Sequence, residues 1–290
     1  MLTAFAHAQH AAGSGPAGWI VPALAVAMVS GGYLAAVRKY SRRTLRRWPM
    51  ARTGAFVAGA AMLGLAASPP VRMLADSDPR GHMVQHLLIG MYAPLALVLA
   101  APMTVLLAAL PPRRARALTT VLRCSLVRVL SHPATAGLAT TAGLYVLYLT
   151  PLHAASADSA ILHSGVHLHF LLAGYLFAWS IVGPDPAPRR PGRPTRIAVL
   201  IVVAGAHAYV AKLLYAGAAE LPPGAGYAPE LVRQAAQIMY YGGDLAELLI
   251  AVVLFTAWSG RRRERSRPTN RPAVFAFSRP RRVSTVISPP

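Results

Sequence analysis

Two pairs of histidines stand four residues apart in this sequence, His82 with His86 and His163 with His167. Residues spaced i, i+4 lie on one face of a helix, one turn apart, so the two imidazoles of each pair are able to share a metal ion. Imidazole-rich sites suit copper, zinc, iron or nickel, and copper(II) binds most tightly in the divalent series. The spacing therefore predicts a metal site built from both pairs.

Further polar residues lie within apolar stretches at comparable depth. Ionisable groups inside a membrane span are costly, which makes them candidates for function. We expect the carboxylates Asp244 and Glu247 to orient ligand imidazoles or to accept protons. Asp244 has an alternative partner in Lys212, and the sequence does not choose between them. The predicted metal-ligating set is His82, His86, His153, His163, His167, His207 and Asp244.

The identity of the metal is less constrained than the position of the site. Thioether sulfur favours copper(I), and Met83 and Met91 lie on the third predicted span and Met239 on the seventh. Haem also takes histidines from facing helices, so spacing alone leaves haem open. Cys124 is the single cysteine, which excludes a disulfide framework and a cysteine-based zinc site. The isolated histidines are expected to be interfacial side chains; they are His7, His10, His132 and His169.

The elements that carry these residues are predicted to be transmembrane helices. Hydrophobic residues make up 55% of the chain and charged residues only 13%, with a mean hydropathy of +0.44. A span needs about 20 mostly apolar residues. The fold class predicted is an all-α, polytopic membrane protein with seven spans. They cover residues 19–37, 53–74, 82–110, 133–152, 161–182, 197–219 and 231–258.

The basic residues predict the orientation of these spans. The segments after spans 1, 3, 5 and 7 carry seven, five, four and nine of them, which is 25 of the 29 in the chain. Positive loops stay in the cytoplasm, so the N-terminus is predicted outside and the C-terminus inside. The net charge of +20 then reflects topology and contact with the lipid bilayer, not a nucleic-acid partner. The predicted parts are an outer arm (1–18), the transmembrane domain (19–260) and a basic, disordered tail (261–290).

One cytoplasmic segment has helical periodicity without being long enough to span. Leu118, Val121, Leu122, Leu126, Val129 and Leu130 recur at helical spacing, with arginines between them. This pattern is typical of an amphipathic helix lying on the membrane surface.

Three stretches resemble one known family. HMVQHLLIGMYAPLALVLAAPMTVLLAALPP (82–112) is similar to the HMxQH and GMxAP signature of the membrane-embedded assembly factors of caa3-type cytochrome c oxidase. YYGGDLAELLIAVVLFTAW (240–258) resembles the last helix of that family, and LHAASADSAILHSGVHLHF (152–170) resembles its histidine-rich region. The resemblance covers roughly residues 20–260.

The resemblance implies an assembly factor, not an enzyme, in the inner (plasma) membrane of a bacterium. The implied partner is a haem–copper oxidase subunit and the implied cargo is copper, delivered from an outward-facing histidine cluster. A single-span copper chaperone that shares the family's name uses cysteines, and its mechanism does not carry over to this chain. The alternatives are a membrane b-type cytochrome with haem, or a copper-resistance or transport protein. The sequence leaves open whether the chain forms a homo-oligomer.

Overall fold

The computed structural model describes residues 16–186 and 190–265, and within them the chain is helical with no β-strand. The outer arm and the basic tail lie almost wholly outside the described residues. The first helices are α1 (Pro16–Thr44), α2 (Met50–Ala66), α3 (Pro69–Ser77), α4 (Pro79–Leu87), a π-helical segment (Leu88–Tyr92), α5 (Ala93–Leu99) and α6 (Pro102–Ala109). The remaining helices are α7 (Pro112–Arg123), α8 (Ser125–Leu130), α9 (Pro133–Leu149), α10 (Leu152–Asp158), α11 (Ala160–Val182), α12 (Arg193–Ala216) and α13 (Pro229–Arg265).

Five spans in the described part of the chain are long and apolar enough to cross a membrane. They are Gly18–Thr44, Pro79–Leu99, Ala160–Val182, Arg193–Ala216 and Pro229–Thr256. The pair α2 and α3, bent by 53°, makes a sixth if it is one broken span. The helix in predicted span 133–152 has 17 residues, about 26 Å at 1.5 Å per residue. The apolar core of a bilayer is about 30 Å thick, so this helix is short for a span. The count of seven spans and the orientation of the termini stay predictions.

The predicted amphipathic segment forms two short helices, α7 and α8, instead of one. Cys124 has an extended backbone (ψ 156°) and separates them. Neither helix contains a buried residue. The location of this helix pair on the membrane surface stays a prediction.

The third predicted span (82–110) corresponds to Pro79–Leu99, the most buried of the five candidate spans. It is not a continuous α-helix. Pro94 cannot donate to the carbonyl of Gly90, four residues earlier, and its ring would clash with that carbonyl in a regular helix. The π-helical segment precedes Pro94 and widens the backbone at this point. α11 packs so closely here that a Cβ added to Gly174 would collide with the Gly90 carbonyl. Glycine at 174 therefore permits this helix contact.

The same span breaks a second time at Ala100 and Ala101. Ala101 has a left-handed backbone with φ 52°, and α6 begins at the next residue. The Tyr33 hydroxyl of α1 donates to the Ala100 carbonyl at 2.8 Å, and it accepts from Trp48 Nε1 at 3.0 Å. The backbone group released by this break is thus satisfied inside the protein, as a lipid environment requires.

The beginning of α6 is capped by a residue that is distant in sequence. Asp185, in the segment after α11, is 2% exposed. Its carboxylate accepts from the backbone N–H of Met103 at 3.1 Å and from that of Thr104 at 2.7 Å. It also accepts from the Thr104 hydroxyl at 2.6 Å. These are the donors that a helix start leaves without an intrahelical partner.

The bend between α2 and α3 is satisfied in a similar way. Gln85 of α4 donates from Nε2 to the Ala66 carbonyl at 2.8 Å, where α2 ends. Asp78 caps the start of α4 by accepting from the backbone N–H of Arg80 at 2.8 Å. Arg80 also donates to Gln234 of α13 at 3.0 Å. These contacts fix where the first turn of α4, with its histidine, begins.

We expect Asp185→Ala to lower the free energy of unfolding by roughly 1–3 kcal/mol, since it leaves buried N–H donors of α6 without an acceptor. Thermal unfolding of the purified protein in detergent measures this effect. Asp158→Ala is the matched control, because Asp158 is an exposed acidic residue at the end of α10. Equal midpoints for the two variants would contradict the capping role of Asp185.

Candidate functional site

Two of the predicted ligands, His82 and His153, face each other. His82 lies in the first turn of α4 and His153 is the second residue of α10. Their ring centroids are 4.6 Å apart with the rings nearly perpendicular, and both side chains are buried. His82 Nε2 and His153 Nδ1 are buried atoms without a hydrogen-bond partner. The pair therefore offers two free nitrogens in one small region.

Tyr148, on the last turns of α9, forms one wall beside this pair. Its ring centroid lies 6.3 Å from that of His82, 6.0 Å from that of His153 and 6.2 Å from that of His86. Its hydroxyl donates to the sulfur of Met83 at 3.4 Å. Tyr148 thus lies beside both histidines of α4, and its hydrogen bond holds the thioether of Met83 near them.

His153 lies outside the membrane-spanning helices, and burial lowers its pKa to about 4. The nearby imidazole of His163 also lowers the pKa of His153. The side chain is therefore neutral at physiological pH. A neutral imidazole keeps the lone pair that a metal ion needs.

His86 turns towards a second, inner cavity. Its ring packs edge-on against Phe170 at 4.6 Å, and it lines a cavity with His207 of α12 and Glu247 of α13. The cavity measures about 20 Å³, which is room for about one water molecule. Both ring nitrogens of His207 and Oε1 of Glu247 are buried without a hydrogen-bond partner. This cavity thus brings three titratable side chains together inside a mostly apolar lining.

The second histidine pair, His163 and His167, has a different environment. Their ring centroids are 4.3 Å apart, which places both on one face of α11 as the spacing predicts. They line a groove together with Arg72 and Gln85. The two i, i+4 pairs are therefore present as pairs, but the structure does not merge them into one four-histidine site.

Asp244 points away from these positions. It is exposed on α13, whereas Glu247, less than one turn later, is buried. Within the described residues Lys212 forms no ion pair with Asp244; its ammonium lies 5.5 Å from the centre of the Tyr240 ring. The structure thus places neither of the expected partners against Asp244.

Across the described ranges, no group of three or more His, Cys, Asp or Glu side chains is arranged to hold a metal ion as it stands. The predicted ligands are instead divided among the outer pair, the inner cavity and the groove. Two histidines assigned to no site have local contacts. His132 caps α9 by accepting from the Ala134 N–H at 3.3 Å, and His169 contacts the Ala139 carbonyl at 3.2 Å.

Sequence reasoning did not single out Tyr148, Phe170 or Arg72. Tyr148 and Phe170 lie in apolar runs, where an aromatic residue is normally part of the core, and nothing in their spacing marks them. Arg72 was one of only four basic residues outside the positive segments. That exception to the charge pattern was the one signal available for the groove.

Comparison with known proteins identifies relatives of this chain. Residues 31–261 match the family described as cytochrome c oxidase caa3 assembly factor. Uncharacterized proteins of Mycobacterium bovis and Mycobacterium tuberculosis are each 37% identical over 185 residues, 61% of this chain and 28% of theirs. One of Mycobacterium leprae is 35% identical over 193 residues, 64% and 29% of the two chains. The chain thus spans less than a third of the length of these relatives, and no solved structure matches it.

We expect Gly243→Ala to destabilise the inner cavity, because a Cβ at 243 would collide with the His207 imidazole. Overpacking of this kind costs about 1–3 kcal/mol. Gly205→Ala is the matched control on α12, where an added Cβ meets nothing within 4 Å. Thermal unfolding should show a lower midpoint for Gly243→Ala and an unchanged or slightly higher one for Gly205→Ala. The same midpoint in both would mean that His207 does not pack against α13 in this way.

Proposed function

This chain belongs to the family of cytochrome c oxidase caa3 assembly factors, and we propose that it assists the assembly of a haem–copper oxidase by carrying copper. The role is that of a carrier rather than a catalyst. Copper is the cargo, and an oxidase subunit is the recipient. The family match confirms the resemblance noted in the sequence, and it supports the oxidase as partner.

The observation that supports copper as cargo is the outer pair of buried imidazoles, His82 and His153. The ring centroids of these two histidines are 4.6 Å apart, and each ring has a buried nitrogen without a hydrogen-bond partner. Such a pair of imidazoles suits a soft or borderline cation. The Met83 sulfur near Tyr148 adds a thioether, which favours copper(I). A site with few ligands holds an ion less firmly than a closed tetrahedral site, and a carrier has to release its cargo.

The depth of the pair fits delivery on the outer side of a bacterial inner membrane. With seven spans and the basic segments in the cytoplasm, the start of α4 and all of α10 are at the outer surface. The positive-inside pattern supports this orientation, since 25 of the 29 basic residues fall on the opposite side. His86 then lies one turn deeper than His82, between the outer pair and the inner cavity.

We expect His82→Ala and His153→Ala each to weaken copper(I) binding by at least about 10-fold, the lower end of the effect of changes around metal ligands. Anaerobic competition with a chromophoric copper(I) chelator measures the affinity of the purified protein. His132→Ala is the matched control, because His132 is a helix cap away from the pair. Equal affinities in all three variants would exclude the outer pair. A Soret band in the purified protein would favour the b-type cytochrome instead.

Deletion of the gene should lower haem–copper oxidase activity in membranes, and added copper should partly restore it. The physical reason is that a carrier raises the local supply of an ion that the oxidase otherwise acquires slowly. Oxygen consumption by membranes, normalised to oxidase protein, measures the effect. Loss of copper tolerance with full oxidase activity would instead favour a resistance function. A deletion strain complemented with the His132→Ala gene is the control for expression of the protein.

A further inference from the structure

A groove of about 380 Å³ opens on the bundle between α2 and α11. Both helices pack against the π-helical segment, which forms the floor between them. Its polar part is lined by Arg72, Gln85, His163, Ser164 and His167. None of these residues belongs to the outer pair or to the inner cavity, so the groove is a separate feature of the molecule.

The charges of this groove favour an anion over a metal ion. Arg72 supplies a guanidinium, and among the described residues that line the groove none is acidic. A guanidinium repels a cation, but it binds phosphate in a bidentate manner. His163, His167 and Ser164 each offer a ring N–H or a hydroxyl, which phosphate oxygens accept. The second histidine pair is therefore better placed to hold a phosphate than to hold copper.

Gln85 forms part of the buried wall of the same groove. Its Nε2 donates to the Ala66 carbonyl, and this contact fixes Oε1 as the other end of the amide. Gln85 is 2% exposed, and its Oε1 is a buried atom without a hydrogen-bond partner. Burial closes this oxygen to a ligand in the groove, so Gln85 acts here through its contact with the end of α2.

The groove changes from polar to apolar along α11. His163, Ser164 and His167 are followed on the same face by Leu168 and Leu171, over about 12 Å of helix. Leu63 of α2 and Ile89 of the π-helical segment continue this apolar lining. Leu168 is 55% exposed on a helix that is long and apolar enough to span a membrane, so the apolar end opens at the outside of the bundle. The groove thus accepts a polar head at one end and a hydrocarbon chain at the other.

We propose that this groove binds one anionic phospholipid from the outer leaflet, such as phosphatidylglycerol. Its phosphate contacts Arg72 and the imidazole N–H groups. An acyl chain follows Leu168 and Leu171 into the membrane. The bound lipid fills the space beside the bend between α2 and α3, next to the contact that places α4.

The test compares lipids on the intact, purified protein in detergent. Phosphatidylglycerol should raise the thermal midpoint by at least about 2 °C more than phosphatidylcholine, the shift expected at several times the Kd. Arg72→Gln and His167→Gln should each remove this difference. Arg233→Gln should keep it, because Arg233 is an exposed basic residue on α13 that pairs with Glu230 at 3.4 Å. Native mass spectrometry should show one fewer retained phosphatidylglycerol in Arg72→Gln.

Three results would overturn the proposal. The first is equal stabilisation by the two lipids, and the second is an undiminished preference for phosphatidylglycerol in both Arg72→Gln and His167→Gln. The third is equal stabilisation by millimolar glycerol phosphate, which would indicate a site for the free anion. Copper(I) affinity, measured on the same Arg72→Gln protein, should equal that of the wild type. The lipid proposal and the copper proposal are therefore tested separately, because either one can be contradicted while the other is confirmed.

Discussion

The structure depends on one constraint, that every backbone group released by a break in a helix needs a partner inside the protein. Water is absent from the bilayer core, so an unpaired carbonyl or N–H there costs several kcal/mol. The described bundle contains a bend after Ala66 and a break at Ala100. Tyr33 and Gln85 donate to these two carbonyls, and Asp185 accepts from the N–H groups that begin α6. The break at Ala100 is tolerated because its carbonyl and the N–H groups that follow it are paired.

These same contacts position the polar residues. Gln85 stands between His82 and His86 on α4, and its hydrogen bond to the end of α2 fixes the rotation of that helix. His82 then meets His153, while His86, one turn deeper, reaches the inner cavity with His207 and Glu247. The π-helical segment follows immediately, and the close approach of Gly174 holds α11 against it. The short helix α4 thus supplies one residue each to the outer pair, the inner cavity and the groove.

The division into three environments gives each histidine pair different chemistry. The outer pair has free ring nitrogens and a nearby thioether, which suit a cation. The pair on α11 shares its groove with Arg72, which suits an anion. Glu247 has an unpaired oxygen beside His207 in a cavity the size of one water. The two pairs of imidazoles therefore suit ions of opposite charge, because their neighbours differ in charge.

The sequence by itself determined the all-helical, membrane-spanning character, since long apolar stretches have few other stable forms. It also identified the family through the runs around His82 and Tyr240, which the match over residues 31–261 confirms. The i, i+4 pairing of His163 with His167 followed from helical geometry alone. These properties depend on local composition and spacing, which a sequence records directly.

Only the tertiary structure decided which histidines meet. The rotation of α4 against α10 and α11 selects His153 as the neighbour of His82 and turns His163 and His167 towards Arg72. The same packing buries Glu247 and leaves Asp244 exposed, although both lie on α13. It also breaks the amphipathic segment at Cys124, a residue type that does not predict a helix break. Rotation and breaks depend on contacts between distant residues, and the periodicity of one helix carries no information about its partners.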